Sequence, residues 1–246
     1  KSRKRGEPEP ERIPSSRFQR GGPQYVPAEA GMNRFVWNMR YPDAERVPGA
    51  ILWGGMLSGP VAVPGVYQVK LTVGEKMMME SWQWKKDPRL LTTQEEYQEQ
   101  FDFLLKIRDK ITEVNKAINR LRDVKKQIDV LSRKVKEHEK GKEVIEAAKM
   151  LKQKLSSAED VLIQSKSKSR QDPLNYPIKL DNKIAALAGI ASSADARPTD
   201  QSYEVFKALS AKADEQLTKL KDILKKDLPD FNKLVKKAEI PAIIIK

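Results

Sequence analysis

The sequence predicts an α+β protein of two domains, in which an antiparallel β-rich part is followed by an antiparallel bundle of four helices. All four tryptophans and most of the glycines precede Asp87, and the short apolar runs there are separated by proline and glycine. After Asp87, apolar residues recur every three or four positions, which is the period of an amphipathic helix. The 246 residues are 39% hydrophobic, so there is enough apolar material for a core.

The two ends of the chain have compositions of their own. Residues 1–24 are predicted to be a flexible basic linker, because they contain few apolar side chains to offset the entropy of ordering. Lys1–Arg5 could contact nucleic acid or anionic lipid, but a solvated end is the favoured interpretation. Residues 239–246 are predicted to be a C-terminal tail, too short to span a membrane.

Residues 25–87 are predicted to form the β-rich domain. Its most informative stretch is Ala30–Pro42, which is expected to be a buried strand because Phe35, Val36 and Trp37 favour β-structure. A second short strand, or a bulged edge, is predicted at Ala50–Gly54.

A β-hairpin is the clearest pattern in this part of the chain. Val66–Val73 alternates between apolar and polar residues, Gly74–Lys76 is a turn, and Met77–Lys85 returns as a strand. Trp82 and Trp84 are two residues apart and so share one side of that strand.

Together these strands predict a partial immunoglobulin-like β-sandwich. The sequence supplies about five strands, whereas a complete sandwich has about seven. The first strands are therefore expected upstream of Lys1 or on another polypeptide.

Residues 88–238 are predicted to form the helical bundle, in which short connections make successive helices antiparallel. The first helix begins at a capping box with Thr93 as the cap, and it ends at Glu137–Gly141. Its apolar positions are Phe101, Leu104, Ile107, Ile111, Val114, Ile118, Leu121, Val124, Ile128, Leu131 and Val135.

The other three helices have shorter apolar seams. The second carries Val144, Ala148, Leu151, Leu155, Ala158 and Leu162, and the third carries Leu180, Ile184, Leu187 and Ile190. The fourth is expected to continue past Pro229. Its apolar residues are Tyr203, Phe206, Leu209, Ala213, Leu217, Leu220, Leu224, Phe231 and Leu234.

The net charge of +13 raises the possibility of a nucleic-acid partner. Lysines and arginines along residues 120–142 and 207–237 alternate with carboxylates, as on a solvated helix face, and no aromatic side chains are interleaved for base stacking. The charge pattern therefore argues against a dedicated nucleic-acid site. No apolar run is long enough to be a transmembrane segment.

The sequence marks no catalytic, cofactor-binding or metal-binding residue. His138 is the only histidine and there is no cysteine, so a metal site of ordinary ligands is not expected. No pair of carboxylates is marked as a catalytic acid and base. Trp53, Trp82 and Trp84 are candidates for contact with a sugar or a partner, although packing within the protein is the favoured role of these rings.

Four motifs then indicate a family: Gly31–Pro42, Pro64–Val73, Lys86–Arg89 and Gln171–Leu180. In this order they resemble the C-terminal region of large bacterial β-propeller proteins, labelled sortilin-like or neuraminidase-repeat "glycosyl hydrolase" proteins. The resemblance implies an immunoglobulin-like and helical region that follows an exported propeller. The implied location is periplasmic, cell-surface or secreted.

The function expected from this resemblance is that of a non-catalytic accessory region, which docks on the propeller and mediates assembly or partner contact. Its partners would be the propeller or a chain that supplies the missing strands, and the helical bundle could contact another protein or a second copy. Two alternatives stay open: part of a glycoside hydrolase whose active site lies in the absent propeller, and a basic nucleic-acid-binding protein.

Overall fold

In the computed structural model, residues 27–239 are described. The predicted linker at 1–24 and the tail beyond Glu239 lie outside this range. The described residues form a two-stranded antiparallel hairpin followed by four helices, of which the first is 41 residues long and the last is divided by a π-helical turn into α4 and α5. The elements are β1 Gly65–Val73, β2 Lys76–Trp84, α1 Gln94–Lys134, α2 Gly141–Leu162, α3 Leu180–Ala191, α4 Asp200–Asp222 and α5 Leu228–Lys237.

The predicted hairpin is confirmed. Its register places Tyr67 opposite Trp82 and Val73 opposite Lys76, so only two residues form the turn. Gly74 is the first of them and has a φ of 59°, a left-handed conformation that glycine adopts without steric cost.

The other two predicted strands are not formed, and within residues 27–239 the sheet has two strands rather than the several of a sandwich. Ala30–Pro42 is irregular and mostly exposed, and its only ladder contact is an isolated bridge between Arg40 and Val61. Backbone hydrogen bonds to a neighbouring segment form only at the C-terminal end of this stretch, where the Tyr41 amide donates to the Pro60 carbonyl at 3.0 Å and the Met39 carbonyl accepts from the Ala62 amide at 2.7 Å. The Arg40 amide donates to the Asn38 side chain at 3.1 Å. Ala50–Gly54 is likewise irregular.

The segment that precedes the hairpin packs against the helices. Ala44 and Val47 are buried in one hydrophobic core with residues of α1 and α3. The Glu45 carbonyl accepts a hydrogen bond of 2.6 Å from the Asn115 side chain, and the Glu45 amide donates to the Thr112 hydroxyl at 3.2 Å. Residues of the β-rich part and of the bundle thus share a core.

Helix α1 begins as the capping box predicted. The Thr93 hydroxyl accepts from the Glu96 amide at 3.2 Å, and the Glu96 carboxylate accepts from the Thr93 amide at 2.8 Å. The predicted seam is buried or half-buried along the whole helix. All six predicted seam residues of α2 are buried, so the apolar periodicity identified the inward faces of both helices.

The third and fourth helices also follow the prediction, with one exception. Ile190 is 64% exposed at the end of α3, so its assignment to the seam was wrong. The last helix does continue past Pro229, because α4 runs through a π-helical turn at Ile223–Asp227 directly into α5. Proline lacks an amide proton and cannot continue the regular α-helical hydrogen bonds, and the π turn lies immediately before it.

Two hydrophobic cores lie along α1. The first contains Phe103 to Ile118 together with α3 and the segment before the hairpin. The second contains Leu121 to Val135 together with α2 and Phe231 of α5. The long first helix therefore connects both halves of the bundle.

Candidate functional site

Three aromatic rings meet on one face of the hairpin. Tyr67 and Trp82 are stacked, with ring centroids 5.4 Å apart and planes inclined by 26°. Trp37 meets both of them edge to face, at 6.2 Å from each. These separations are in the range in which aromatic pairs attract each other. We call Trp37, Tyr67 and Trp82 the aromatic cluster.

Hydrogen bonds to backbone carbonyls hold two rings of the aromatic cluster, Trp37 and Tyr67, in place. The Trp37 indole N–H donates to the Arg40 carbonyl at 3.1 Å, and the Arg40 guanidinium donates to the Gly59 carbonyl at 2.9 Å. The Tyr67 hydroxyl donates to the Val63 carbonyl. Burial and the nearby Tyr41 raise the pKa of Tyr67 above its ordinary value, so this hydroxyl keeps its proton and stays a donor at neutral pH.

Beyond the aromatic cluster, the same face of the hairpin is open and carries four apolar side chains, with Glu80 opposite Val69 and Lys76 opposite Val73. Val69 is 54% exposed, Leu71 is 44% exposed, and Met78 opposite Leu71 is 57% exposed. No Cα atom of either strand lies within 8 Å of a helical Cα atom. We call Val69, Leu71, Val73 and Met78 the hairpin face. Within residues 27–239, nothing covers it.

A cleft of about 320 Å³ lies at the base of the hairpin. It is bounded by Trp84 at the end of β2, by Tyr97 and Phe101 on α1, and by Asp195 after α3. The Tyr97 hydroxyl is 3.4 Å from the Asp195 carboxylate. Burial and the Asp195 charge raise the pKa of Tyr97, so the cleft holds a protonated phenol beside a carboxylate.

The three tryptophans suggested by the sequence do not form one platform. Trp82 belongs to the aromatic cluster and Trp84 to the cleft, while the Trp53 side chain is 51% exposed beside α3. Among the described residues, neither Trp53 nor Trp84 contacts another aromatic ring. The ring contacts thus join Trp82 to two residues that were not proposed, Trp37 and Tyr67.

The sequence did contain a signal for one of these missed residues. A two-residue turn at Gly74 and Glu75 fixes the strand register, and counting back from Val73 and Lys76 pairs Tyr67 with Trp82. Trp37 had no such signal, because it reaches the cluster from an irregular segment.

Neither His138 nor the buried Asp181 lines the cleft. Within residues 27–239, no three metal-ligating side chains converge. His138 accepts a hydrogen bond from the Lys140 amide at 3.3 Å in the turn between α1 and α2. The carboxyl group of Asp181 has a pKa raised to about 7 by burial, against the lowering effect of the Asn182 amide and Arg122. It is only 4% exposed, so a substrate cannot reach it.

The described helices and the comparisons add two findings. No helix within residues 27–239 combines the length and apolar character needed to cross a bilayer. Compared with protein-family models, curated proteins and solved structures, the chain matches none of them.

Proposed function

We propose that this chain is a non-catalytic accessory and interaction region of an exported β-propeller protein. It docks on the propeller, in the periplasm, on the cell surface or outside the cell, and mediates assembly or partner contact. The resemblance of its four motifs to the region that follows such propellers supports this assignment. The observation that carries the interaction role is the hairpin face, because apolar side chains of this kind are usually covered in a functional assembly.

We also infer that the hairpin is part of an immunoglobulin-like β-sandwich whose remaining strands come from another polypeptide segment. An isolated two-stranded hairpin is marginally stable in water and presents unpaired backbone groups along both edges. Strands added at the edges would satisfy those groups, and the facing sheet of a sandwich would cover Leu71 and Met78. Phe35 and Trp37, which favour β-structure, already lie in the segment beside the hairpin.

The helical bundle has a separate part in this proposal. It has its own cores and holds the segment before the hairpin through Ala44 and Val47. The hairpin therefore projects from a support that does not depend on the docking partner. A rigid support of this kind lowers the entropic cost of presenting a binding surface.

Binding to the propeller portion encoded with this chain tests the proposal. The two polypeptides are produced separately, and their association is measured by size-exclusion chromatography and calorimetry. Leu71→Ser with Met78→Ser removes apolar surface from the hairpin face, and we expect at least a roughly tenfold weaker complex. The matched control is Gln68→Ala with Ser81→Ala, a cross-strand pair on the opposite face, which should bind as the wild type does.

Three results would count against the proposal. They are the absence of a propeller encoded with the chain, a propeller that does not associate with it, and equal binding by both double variants. Cleavage of glycosides by the isolated chain would overturn the non-catalytic assignment and favour the hydrolase alternative.

A further inference from the structure

A groove of about 430 Å³ runs between α1 and the end of α4, away from the hairpin. Its floor is apolar and consists of Ala117 on α1 with Leu217, Leu220 and Leu224 on the opposite wall. Leu220 is buried, and the other three side chains are half-buried. The floor thus presents apolar surface to any molecule that enters the groove.

Both rims of this groove are basic. Lys116 and Arg120 lie one turn apart on α1, and Lys221 and Lys225 lie one turn apart on the other wall. All four side chains are exposed, and no Asp or Glu lines the groove. None of the four cations forms an ion pair within residues 27–239.

Other cations on the same helices have acidic partners. Lys110 contacts Glu113 at 2.6 Å and Asp214 at 2.8 Å, and Lys219 contacts Glu215 at 2.6 Å. Carboxylates therefore neutralise the surface beside the groove but not its rims. An occupant with negative charge on two sides would supply the missing partners.

The helix geometry at the groove is also unusual. Leu224 and Lys225 belong to the π-helical turn Ile223–Asp227, and such turns occur frequently at functional sites. From Leu217 to Lys225 the wall extends about 12 Å at 1.5 Å per residue. This length corresponds to about two turns of a partner helix.

We propose that this groove binds an acidic amphipathic helix of a protein partner. Apolar residues of that helix at positions i, i+3, i+4 and i+7 pack on the leucine floor. Aspartates or glutamates on its two flanks pair with Lys116 and Arg120 on one side and with Lys221 and Lys225 on the other.

The chemistry of the floor favours a helix over two other anionic partners. A nucleic acid has no aliphatic side chains for the leucines, and the floor has no aromatic ring on which a base could stack. A lipid surface is broad and would contact a protruding face, whereas this groove is recessed between two helices.

The test uses the full chain and a fluorescein-labelled helical peptide of about 18 residues, or five turns. The peptide carries leucines at positions i, i+3, i+4 and i+7, with glutamates on both flanks. A peptide of the same composition in scrambled order is the control. Fluorescence anisotropy at low salt measures affinity, and methyl NMR reports whether the signals of Leu217 and Leu224 shift. We expect the ordered peptide to bind at least about tenfold more tightly than the scrambled one.

Charge reversal assigns the binding to the groove. The variant Lys116→Glu, Arg120→Glu, Lys221→Glu and Lys225→Glu should weaken peptide binding by at least about tenfold, or 1.4 kcal/mol. The control reverses four exposed cations outside the groove without a carboxylate partner in the described part of the chain, and so changes the net charge equally: Lys106, Lys142, Lys149 and Lys207. We expect it to change the affinity by less than about twofold.

The proposal is overturned if the ordered peptide fails to bind, if the scrambled peptide binds as well, or if the Leu217 and Leu224 methyl signals do not shift. An equal loss of peptide affinity in the control variant would show that the net charge of the chain alone attracts the peptide, and would also overturn the proposal. Phosphatidylserine vesicles and a single-stranded oligonucleotide are tested in parallel. Tighter binding of either one, with loss in the groove variant, would replace the helix by a membrane or a nucleic acid.

Discussion

Asn182 joins helix α3 to Trp53 through both ends of its side-chain amide, across 129 residues of sequence. The Trp53 amide donates to Asn182 Oδ1 at 2.7 Å, and Asn182 Nδ2 donates to the Trp53 carbonyl at 2.8 Å. Asn182 is buried, so water cannot readily replace either bond. This pair fixes the segment before the hairpin to the bundle.

Replacing Asn182 should loosen that attachment. We expect Asn182→Ala to lower the free energy of unfolding by about 1–3 kcal/mol, because the backbone groups of Trp53 lose their partners. Asn182→Asp keeps an acceptor for the Trp53 amide but places a buried carboxylate oxygen against the Trp53 carbonyl, so its loss at neutral pH should be at least as large. Urea denaturation, monitored by circular dichroism, measures the free energy of unfolding of both variants. An Asn182→Ala variant as stable as the wild type would contradict the expectation.

Glu159 supports the contact between α1 and α2. Its carboxylate is buried and contacts Arg122 at 2.7 Å and Lys125 at 2.9 Å. Burial alone would raise the pKa of Glu159, but the hydrogen bonds from Lys125 and Arg122 outweigh it and hold the pKa below its ordinary value of 4.5. A depressed pKa contributes stability above the unfolded-state value and loses it as the pH falls through the folded-state value.

We therefore expect Glu159→Gln to lower the free energy of unfolding at pH 7 by about 1–3 kcal/mol, since both partners are partly exposed and screened by solvent. The difference from the wild type should shrink below about pH 4.5, where the carboxylate begins to take up a proton. Glu215→Gln removes an exposed pair with Lys219 and should leave the free energy of unfolding nearly unchanged. Equal effects of the two variants in urea denaturation would rule out a special role for Glu159.

Asp181 should have the opposite pH dependence. Burial raises the pKa of Asp181 from 3.8 to about 7. Between these two pH values the folded chain keeps a proton that the unfolded chain releases. The free energy of unfolding then falls as the pH rises from about 4 to 7 and levels off above it. Asp181→Asn should be more stable than the wild type at pH 8 by about 1–3 kcal/mol. Urea denaturation at pH 5 and pH 8 measures the free energy of unfolding of the wild type and of Asp181→Asn. The same change between the two pH values in both proteins would refute the expectation.

Two isoleucines test where the core ends. Ile118 is completely buried in α1, whereas Ile190 is mostly exposed at the end of α3. We expect Ile118→Ala to lower the free energy of unfolding by about 2–5 kcal/mol, from lost burial and the cavity that remains. Ile190→Ala should change it by about 0.5 kcal/mol or less. Thermal and urea denaturation provide the comparison, and similar losses would mean that α3 packs differently.

The helices could be predicted because their signals are local. Thr93 and Glu96 are three residues apart, and the seams of α1 and α2 repeat at helical spacing over many turns. Ile190 follows Leu187 by three residues, but the buried position in that turn is Ala191, four residues after Leu187. Spacing alone does not identify which of two neighbouring apolar residues faces inward.

The β-rich part was harder to predict for a different reason. Phe35 and Trp37 favour strands, yet a strand also needs a partner that takes its backbone hydrogen bonds, and residues 27–239 provide none there. The contact between Trp53 and Asn182 leaves no local trace in the sequence. The basic groove was overlooked because Arg120 and Lys225 were interpreted as parts of solvated, charge-balanced faces. The groove that they line, which contains no Asp or Glu, forms only when α1 and α4 are side by side.

Because no Cα atom of either hairpin strand lies within 8 Å of a helical Cα atom, the hairpin and the bundle are expected to open as separate cooperative units. Backbone amides around Leu71 can exchange with solvent deuterium by local opening, while those around Ile118 must wait for much larger unfolding events. A partner on the hairpin face would therefore slow exchange at Leu71 and leave Ile118 nearly unchanged. The free hairpin has little stability of its own to lose, so docking would serve as its folding step.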